Sequence, residues 1–219
     1  MIKIAIISDT HNLLRPEVIE ALQGCEKILH AGDISKQELL DQLGRIAPVY
    51  AVRGNNDKEW AEHIPMTLDF DLHGLRVFMT HKKKDLPQNC TEYDLVVYGH
   101  SHRYEEKMAG GTLFLNPGSC GPRRFYQDIT MAVIDIEETS GQYAVHRIDI
   151  PHETKKGFTR SNIQTGDIEK IIRLVKNGKT VGEIAVTLGI EKDLAEQICR
   201  LYFTHPGVTA EGIMTKMGL

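Results

Sequence analysis

The sequence predicts an α/β protein with a small helical module behind it, and three observations carry that reading. Early apolar runs of strand length alternate with helical segments. The segments after residue 66 read as strand after strand, and the patterning turns wholly helical after a polar stretch that follows Pro151. Ile2 to Ile7 is an unbroken apolar run ending in Ser-Asp, the signature of a strand buried on both faces. Pro16 to Leu22 reads as a helix and Lys27 to His30 as a second strand. Ser35 is placed to cap a helix over Gln37 to Leu43, with Glu38 as its capping-box partner, and Val49 to Val52 is a third strand. This β-α-β-α-β rhythm implies parallel strands covered by helices.

Thr67 to Leu72 and Leu75 to Thr80 flank His73-Gly74, a hairpin signal. Asp94 to Tyr98, Thr112 to Leu115, Thr130 to Ile136 and Tyr143 to Ile150 complete the strands. One mixed sheet, or two sheets packed face to face, accommodates this set. We expect a first domain over residues 1–153, a polar linker over 154–166 and a helical module over 167–219. Asp167 to Lys176, Val181 to Leu188 and Leu194 to Phe203 carry helical periodicity. Ile184, Leu188, Leu194, Ile198 and Leu201 need burial in the module itself, against the first domain or in a homo-oligomer.

At 219 residues the chain has room for one ordinary domain and an appendage, and 41% apolar with 26% charged residues is normal globular composition. A net charge of −4 gives no general attraction for nucleic acid or anionic lipid. The N-terminus does not read as a signal peptide, and no apolar run nears the roughly 20 residues that span a bilayer. Cys25, Cys90, Cys120 and Cys199 show no CxxC spacing, so neither a disulfide framework nor a thiolate zinc site is indicated. A cytoplasmic protein without membrane partners is expected.

Five sequence positions place Asp, Asn or His just after a strand: Asp9-Thr10-His11, Gly32-Asp33, Gly54-Asn55-Asn56-Asp57, His81 and Gly99-His100-Ser101-His102. These side chains hold divalent cations at hydrolytic sites. The carboxyl ends of parallel strands share one edge, so ligands distant in sequence converge there. Residues i and i+2 of an extended strand face one side, which would aim Asp9 with His11, and His100 with His102, at a common point. Gly32, Gly54 and Gly99 precede ligand candidates and permit tight turns.

As an ordered set, DxH, GD, GNxD, a lone His and GHxH resemble the calcineurin-like metallophosphoesterase superfamily. HAGD (30–33), VRGNND (52–57), VYGHSH (97–102) and NPGS (116–119) resemble its small prokaryotic phosphodiesterase branch. The resemblance covers about residues 1–150 and implies a two-layer mixed β-sheet sandwich flanked by helices. It implies one cation on Asp9, His11, Asp33 and His102, and another on Asp33, Asn55, His81 and His100, with Asp33 bridging. A hydroxide shared by the two cations would attack a phosphodiester substrate. Mn2+ is the first expectation, and the donor mix also suits Fe, Co, Ni or Zn.

Two positions depart from the superfamily pattern. Asn56 stands where many members have a His that protonates the leaving oxygen, which favours diesters over alkyl monoesters. Lys82-Lys83-Lys84 follows His81 in place of the frequent Gly-His. Lys82, Lys83, Arg123 and Arg124 are candidates for substrate phosphate contact, against the alternative of a solvated basic surface. His30 is expected to support a ligand carboxylate by hydrogen bonding, Asp57 to orient its neighbours, and Asn116 to Ser119 to form a turn near the site. His63, His73, His146, His152 and His205 fit no motif.

Lys179 to Tyr202 resembles a helix-turn-helix around Leu188-Gly189-Ile190. Its second helix presents Glu191, Asp193 and Glu196 against Lys192 and Arg200, so DNA binding is not expected. Two alternatives to the enzyme stand beside it: an interaction scaffold, as in the retromer subunit of similar fold, and a regulator acting through this helical module.

Overall fold

In the computed structural model, which describes residues 1–123, 127–151 and 158–219, the chain divides into two compact units, Met1–Pro151 and His152–Leu219. The first unit holds two five-stranded sheets. One runs β10-β9-β1-β2-β3, with β1 (Ile2–Ile7), β2 (Lys27–His30), β3 (Val49–Ala51), β9 (Thr130–Ile136) and β10 (Tyr143–Asp149). The other runs β4-β5-β6-β8-β7, with β4 (Thr67–Leu72), β5 (Leu75–Thr80), β6 (Leu95–Val97), β7 (Tyr104–Ala109) and β8 (Thr112–Pro117). The two-sheet alternative is therefore the one adopted. Strand β7 escaped the sequence reading because Glu105 and the exposed Glu106 and Lys107 give no apolar run on an edge strand.

Alternation along β1 builds both layers. Ile2, Ile4 and Ile6 pack between the sheets with Val77, Met79, Leu95, Val97 and Leu115. Ala5 and Ile7 face the other way, onto helices α1 (Pro16–Leu22) and α2 (Gln37–Gly44) through Val18, Leu22, Leu39 and Leu43. Burying each large aliphatic side chain contributes roughly 1.5–3 kcal/mol, which makes this central strand the anchor of the domain.

Parallel pairing joins β1 to β2 and β2 to β3 in one sheet, and β5 to β6 and β6 to β8 in the other. Strands β9, β10, β4 and β7 pair antiparallel at the flanks. His73 (φ 50°) and Gly74 (φ 86°) close the β4–β5 hairpin as expected. Ser35 does not cap α2. The N-cap is Lys36, without a side-chain bond, and Ser35 (φ 83°) instead donates its backbone N–H to Asp57.

The second unit contains α3 (Thr165–Lys176), α4 (Val181–Leu188), α5 (Lys192–Thr204) and α6 (Ala210–Lys216). The last of these went unread in the sequence. Ile184, Leu194 and Ile198 are buried in the unit's own core, with Leu188 and Leu201 packed against it. Residues 154–157 of the expected linker lie outside the described residues. Phe158 and Ile163, within the remainder, pack into the helical core, so that part of the stretch belongs to the helical unit. Among the described residues, no helix is long and apolar enough to cross a membrane.

Candidate metal centre

Five loops leave the carboxyl ends of β1, β2, β3, β5 and β6 and bring the sequence candidates to one edge of the sandwich. Neighbouring loops are tied by their backbones. Asp9 N–H donates to Gly32 O, His11 N–H to Asp33 O and Gly99 N–H to His81 O, each at 3.0 Å.

Asp9, His11, Asp33, His100 and His102 have left-handed backbones, with φ of 54°, 45°, 57°, 70° and 58°. Such a conformation costs a non-glycine residue of order 1 kcal/mol or more and persists only when its surroundings enforce it. This corrects the extended-strand argument for the i, i+2 pairs. β1 ends at Ile7 and β6 at Val97, so both pairs lie on tight turns. The turns also send His100 and His102 to different places.

Asp9, His11 and His102 form one cluster, and Asp33, His81 and His100 a second, with the ligand atoms of each within 4.8 Å of one another. In the first, His102 Nε2 lies 3.1 Å from Asp9 Oδ1 and 3.3 Å from His11 Nε2. Asp9 Oδ1 is buried without a properly aligned hydrogen bond. In the second, His81 Nδ1–H donates to Ala31 O at 2.7 Å. That bond fixes the tautomer and leaves the buried Nε2 lone pair, 3.4 Å from Asp33 Oδ1, without an aligned partner. The two oxygens of Asp33 face different clusters, Oδ2 at 3.8 Å from His11 Nε2 and Oδ1 toward His81. A carboxylate oxygen of Asp9 and the Nε2 of His81, buried without hydrogen bonds beside further imidazole and carboxylate atoms, fit divalent cations.

Burial opposes ionisation of Asp33, yet the nearby His81 ring and two hydrogen bonds from Asn56 outweigh it and hold the carboxyl well below the usual range. Burial likewise opposes charge on Asp9, and His102 with Ser8 keeps it low. For His81, burial disfavours the cation, but Asp33 and Asp9 raise its pKa on balance.

Asn56 donates twice to Asp33, from its backbone N–H to Oδ1 at 2.8 Å and from Nδ2 to Oδ2 at 2.6 Å. The residue at the general-acid position thus holds the central carboxylate. Asn55, exposed, lines a cavity of about 90 Å3 beside His81, with Arg53, Lys82 and Lys84. Asp57 accepts four backbone N–H groups, from Asp33, Ile34, Ser35 and Gly54, at 2.7–3.0 Å, and so pins the β2 loop to the β3 loop. Gly54 is confined by that approach, since a Cβ there would meet Asp33 N at 2.1 Å.

Other expectations need correction. His30 bonds no carboxylate: Gly32 N–H donates to its Nδ1 at 3.1 Å, so its Nε2–H donates to Thr10 Oγ1 at 3.0 Å. Full burial drives its pKa down to about 4. Lys83 is paired with Glu105 at 2.5 Å and sits 5.2 Å over the Tyr98 ring, which commits it to a local ion pair. Lys82 remains near the second cluster, where its charge helps depress His100 after burial and His81. Arg123 donates to Gln127 O at 3.2 Å, and Arg124 lies outside the described residues.

The sequence reading gave no support role to Ser8 and expected Ser119 and Asn116 only in a turn near the site, yet all three hold the loops in place. Ser8 Oγ donates to Asp9 Oδ2 at 2.6 Å and Ser119 Oγ to Asp9 O at 2.9 Å. Asn116, buried at the end of β8 rather than in a free turn, donates to Gly99 O at 2.9 Å. Polar residues at the inner ends of apolar runs were the available signal.

A two-sheet sandwich with paired acid and imidazole clusters at its carboxyl edge defines a metallophosphoesterase class of fold and site. Residues 2–139 match the calcineurin-like phosphoesterase superfamily domain, and the chain belongs to that family. It is 33% identical over 131 residues to a probable metallophosphoesterase of Methanothermobacter thermautotrophicus, covering 53% of this chain and 76% of the relative. It is 30% identical over 146 residues to phosphodiesterase YfcE of Escherichia coli K12, covering 54% and 79%. Chaetomium thermophilum Vps29 aligns with a TM-score of 0.56 over 69% of this chain and all of that one; at 19% identity it shares the fold.

Proposed function

We propose that the first domain is a phosphodiesterase that holds two divalent cations, one on Asp9, His11, Asp33 and His102 and the other on Asp33, Asn55, His81 and His100. The observation that carries this is Asp33, whose two oxygens face separate clusters within 4 Å. Bound cations would supply an activated water for in-line attack and neutralise charge on the phosphoryl oxygens. The chain's own residues prepare that chemistry. Asn56 orients Asp33, Ala31 O sets the His81 tautomer, and Asp57 fixes the two loops that meet there.

An amide at position 56 cannot release a proton near neutral pH, which supports diesters with good leaving groups over alkyl monoesters. The names of the relatives and the two Asp and His clusters support the enzyme over an assembly scaffold. Mn2+ is the first cation to test, with Fe, Co, Ni and Zn compatible with the same donors. Calorimetric titration of metal-free protein with Mn2+ should show two sites, and bis(p-nitrophenyl) phosphate should be hydrolysed only when they are filled. Asp33→Asn should weaken both sites and lower kcat/KM at least 100-fold, given that one carboxylate serves two cations. Near wild-type metal binding and turnover in that variant would remove Asp33 from the bridging position.

A further inference from the structure

A pocket of about 220 Å3 begins at His102 and is lined by Arg103, Tyr104, Gln127, Asp128 and Arg147. Its charges are unequally matched. Arg147 donates to Asp128 at 2.9 Å and to Asp149 at 2.5 Å, and it stacks 5.2 Å over the Tyr104 ring. Arg103 has no carboxylate partner among the described residues. With its amide turned to satisfy both ends, Gln127 donates to the His102 carbonyl at 3.2 Å and accepts from Arg103 Nε at 3.3 Å. That contact occupies one of the five guanidinium N–H groups.

We propose that this pocket binds the retained arm of the substrate, and that the arm is a nucleoside. The inference rests on the phosphodiesterase reading above. His102 belongs to the first donor cluster, so a phosphorus held there has one ester arm within reach of the pocket. An apolar arm would strip water from Arg103, Gln127 and Asp128 and return no hydrogen bonds, a loss that discriminates strongly. A second phosphate would meet the Asp128 carboxylate and find Arg147 already paired. A nucleoside offers donors and acceptors together, matching a guanidinium, an amide and a carboxylate. The volume is below the range of about 300–1,000 Å3 usual for larger ligands, which suits one nucleoside unit rather than a polymer.

Two diesters with one leaving group test this: bis(p-nitrophenyl) phosphate and the p-nitrophenyl ester of thymidine 5′-phosphate. Both release p-nitrophenolate, so only the retained arm differs. Wild-type protein with Mn2+ should prefer the thymidine diester. Arg103→Ala should reduce that preference about tenfold, mainly through KM, as expected for a charge-assisted hydrogen bond. Gln127→Ala should reduce it less, and it carries the test if Arg103→Ala is poorly folded. Calorimetry with the product, thymidine 5′-monophosphate, should show the same weakening in the Arg103 variant. Equal or better wild-type use of the bis-aryl diester, or an unchanged preference in both variants, would overturn the nucleoside pocket. A metal-loaded wild type inert toward both diesters would overturn the phosphodiesterase reading instead.

Discussion

The carboxyl edge of the sandwich and the C-terminal helical unit solve the same backbone problem in opposite ways. Where the helical unit needs a left-handed residue, it uses glycine: Gly178, Gly189, Gly207 and Gly218 are its positive-φ residues among those described. Its α4 begins with Thr180 accepting from Glu183 N–H and ends at Gly189, so local preference and tertiary position agree. At the sandwich edge the left-handed positions are held by Asp9, His11, Asp33, His100 and His102. There the side chain is needed for its donor atoms, and the backbone accepts the strain because neighbouring loops enforce it. Consistency marks the part built to be stable, and local conflict marks the part built to bind.

Breaking the enforcement at the edge should have the largest effect. Asp57→Ala leaves four amides of two loops without their acceptor. We expect a stability loss of roughly 3–5 kcal/mol and loss of tight Mn2+ binding, measured by urea unfolding and calorimetric titration. Retention of metal affinity would show that the loops hold their left-handed turns without this carboxylate.

The buried imidazole of His30 sharpens the contrast through pH. Its folded pKa of about 4 lies below the ordinary histidine value, so the unfolded chain takes up the proton first as pH falls. Stability from this group is therefore complete above about pH 7 and drains away between roughly pH 6.5 and 4, by about 3 kcal/mol in total. His30→Gln removes that titration. In chelator-treated protein, its denaturation midpoint should fall less between pH 7 and 4.5 than that of wild type. Parallel declines would assign the acid sensitivity to other groups.

The smallest effect is expected in the helical unit. Thr180→Ala removes the N-cap of α4 and should cost about 1 kcal/mol of that unit's stability, without changing Mn2+ affinity. A change in metal binding on that substitution would contradict the assignment of the metal site to the first domain alone.

The sequence by itself determined the inventory. The apolar runs of β1, β5 and β9, the His73-Gly74 hairpin and the helices α1 and α4 follow from local periodicity and turn chemistry. The ordered Asp, Asn and His motifs announced a cation-binding edge, because those residue types recur just after strands. What escaped was whatever depends on partners distant in the chain. Edge strand β7 has no apolar signature, since its pairing to β8 is made by backbone. The tether of Lys83 to Glu105 and the bond from His30 to Thr10 join residues that no spacing rule connects.

Tertiary structure alone decided that the parallel strands of two separate sheets end on the same side. It also decided that left-handed turns, rather than extended strands, sort His100 and His102 into different clusters. The physical reason is that strand and helix patterns are set by side-chain burial within a few residues. The aim of the candidate ligand side chains is set instead by hydrogen bonds between loops, such as those Asp57 draws together from 22 to 24 residues away.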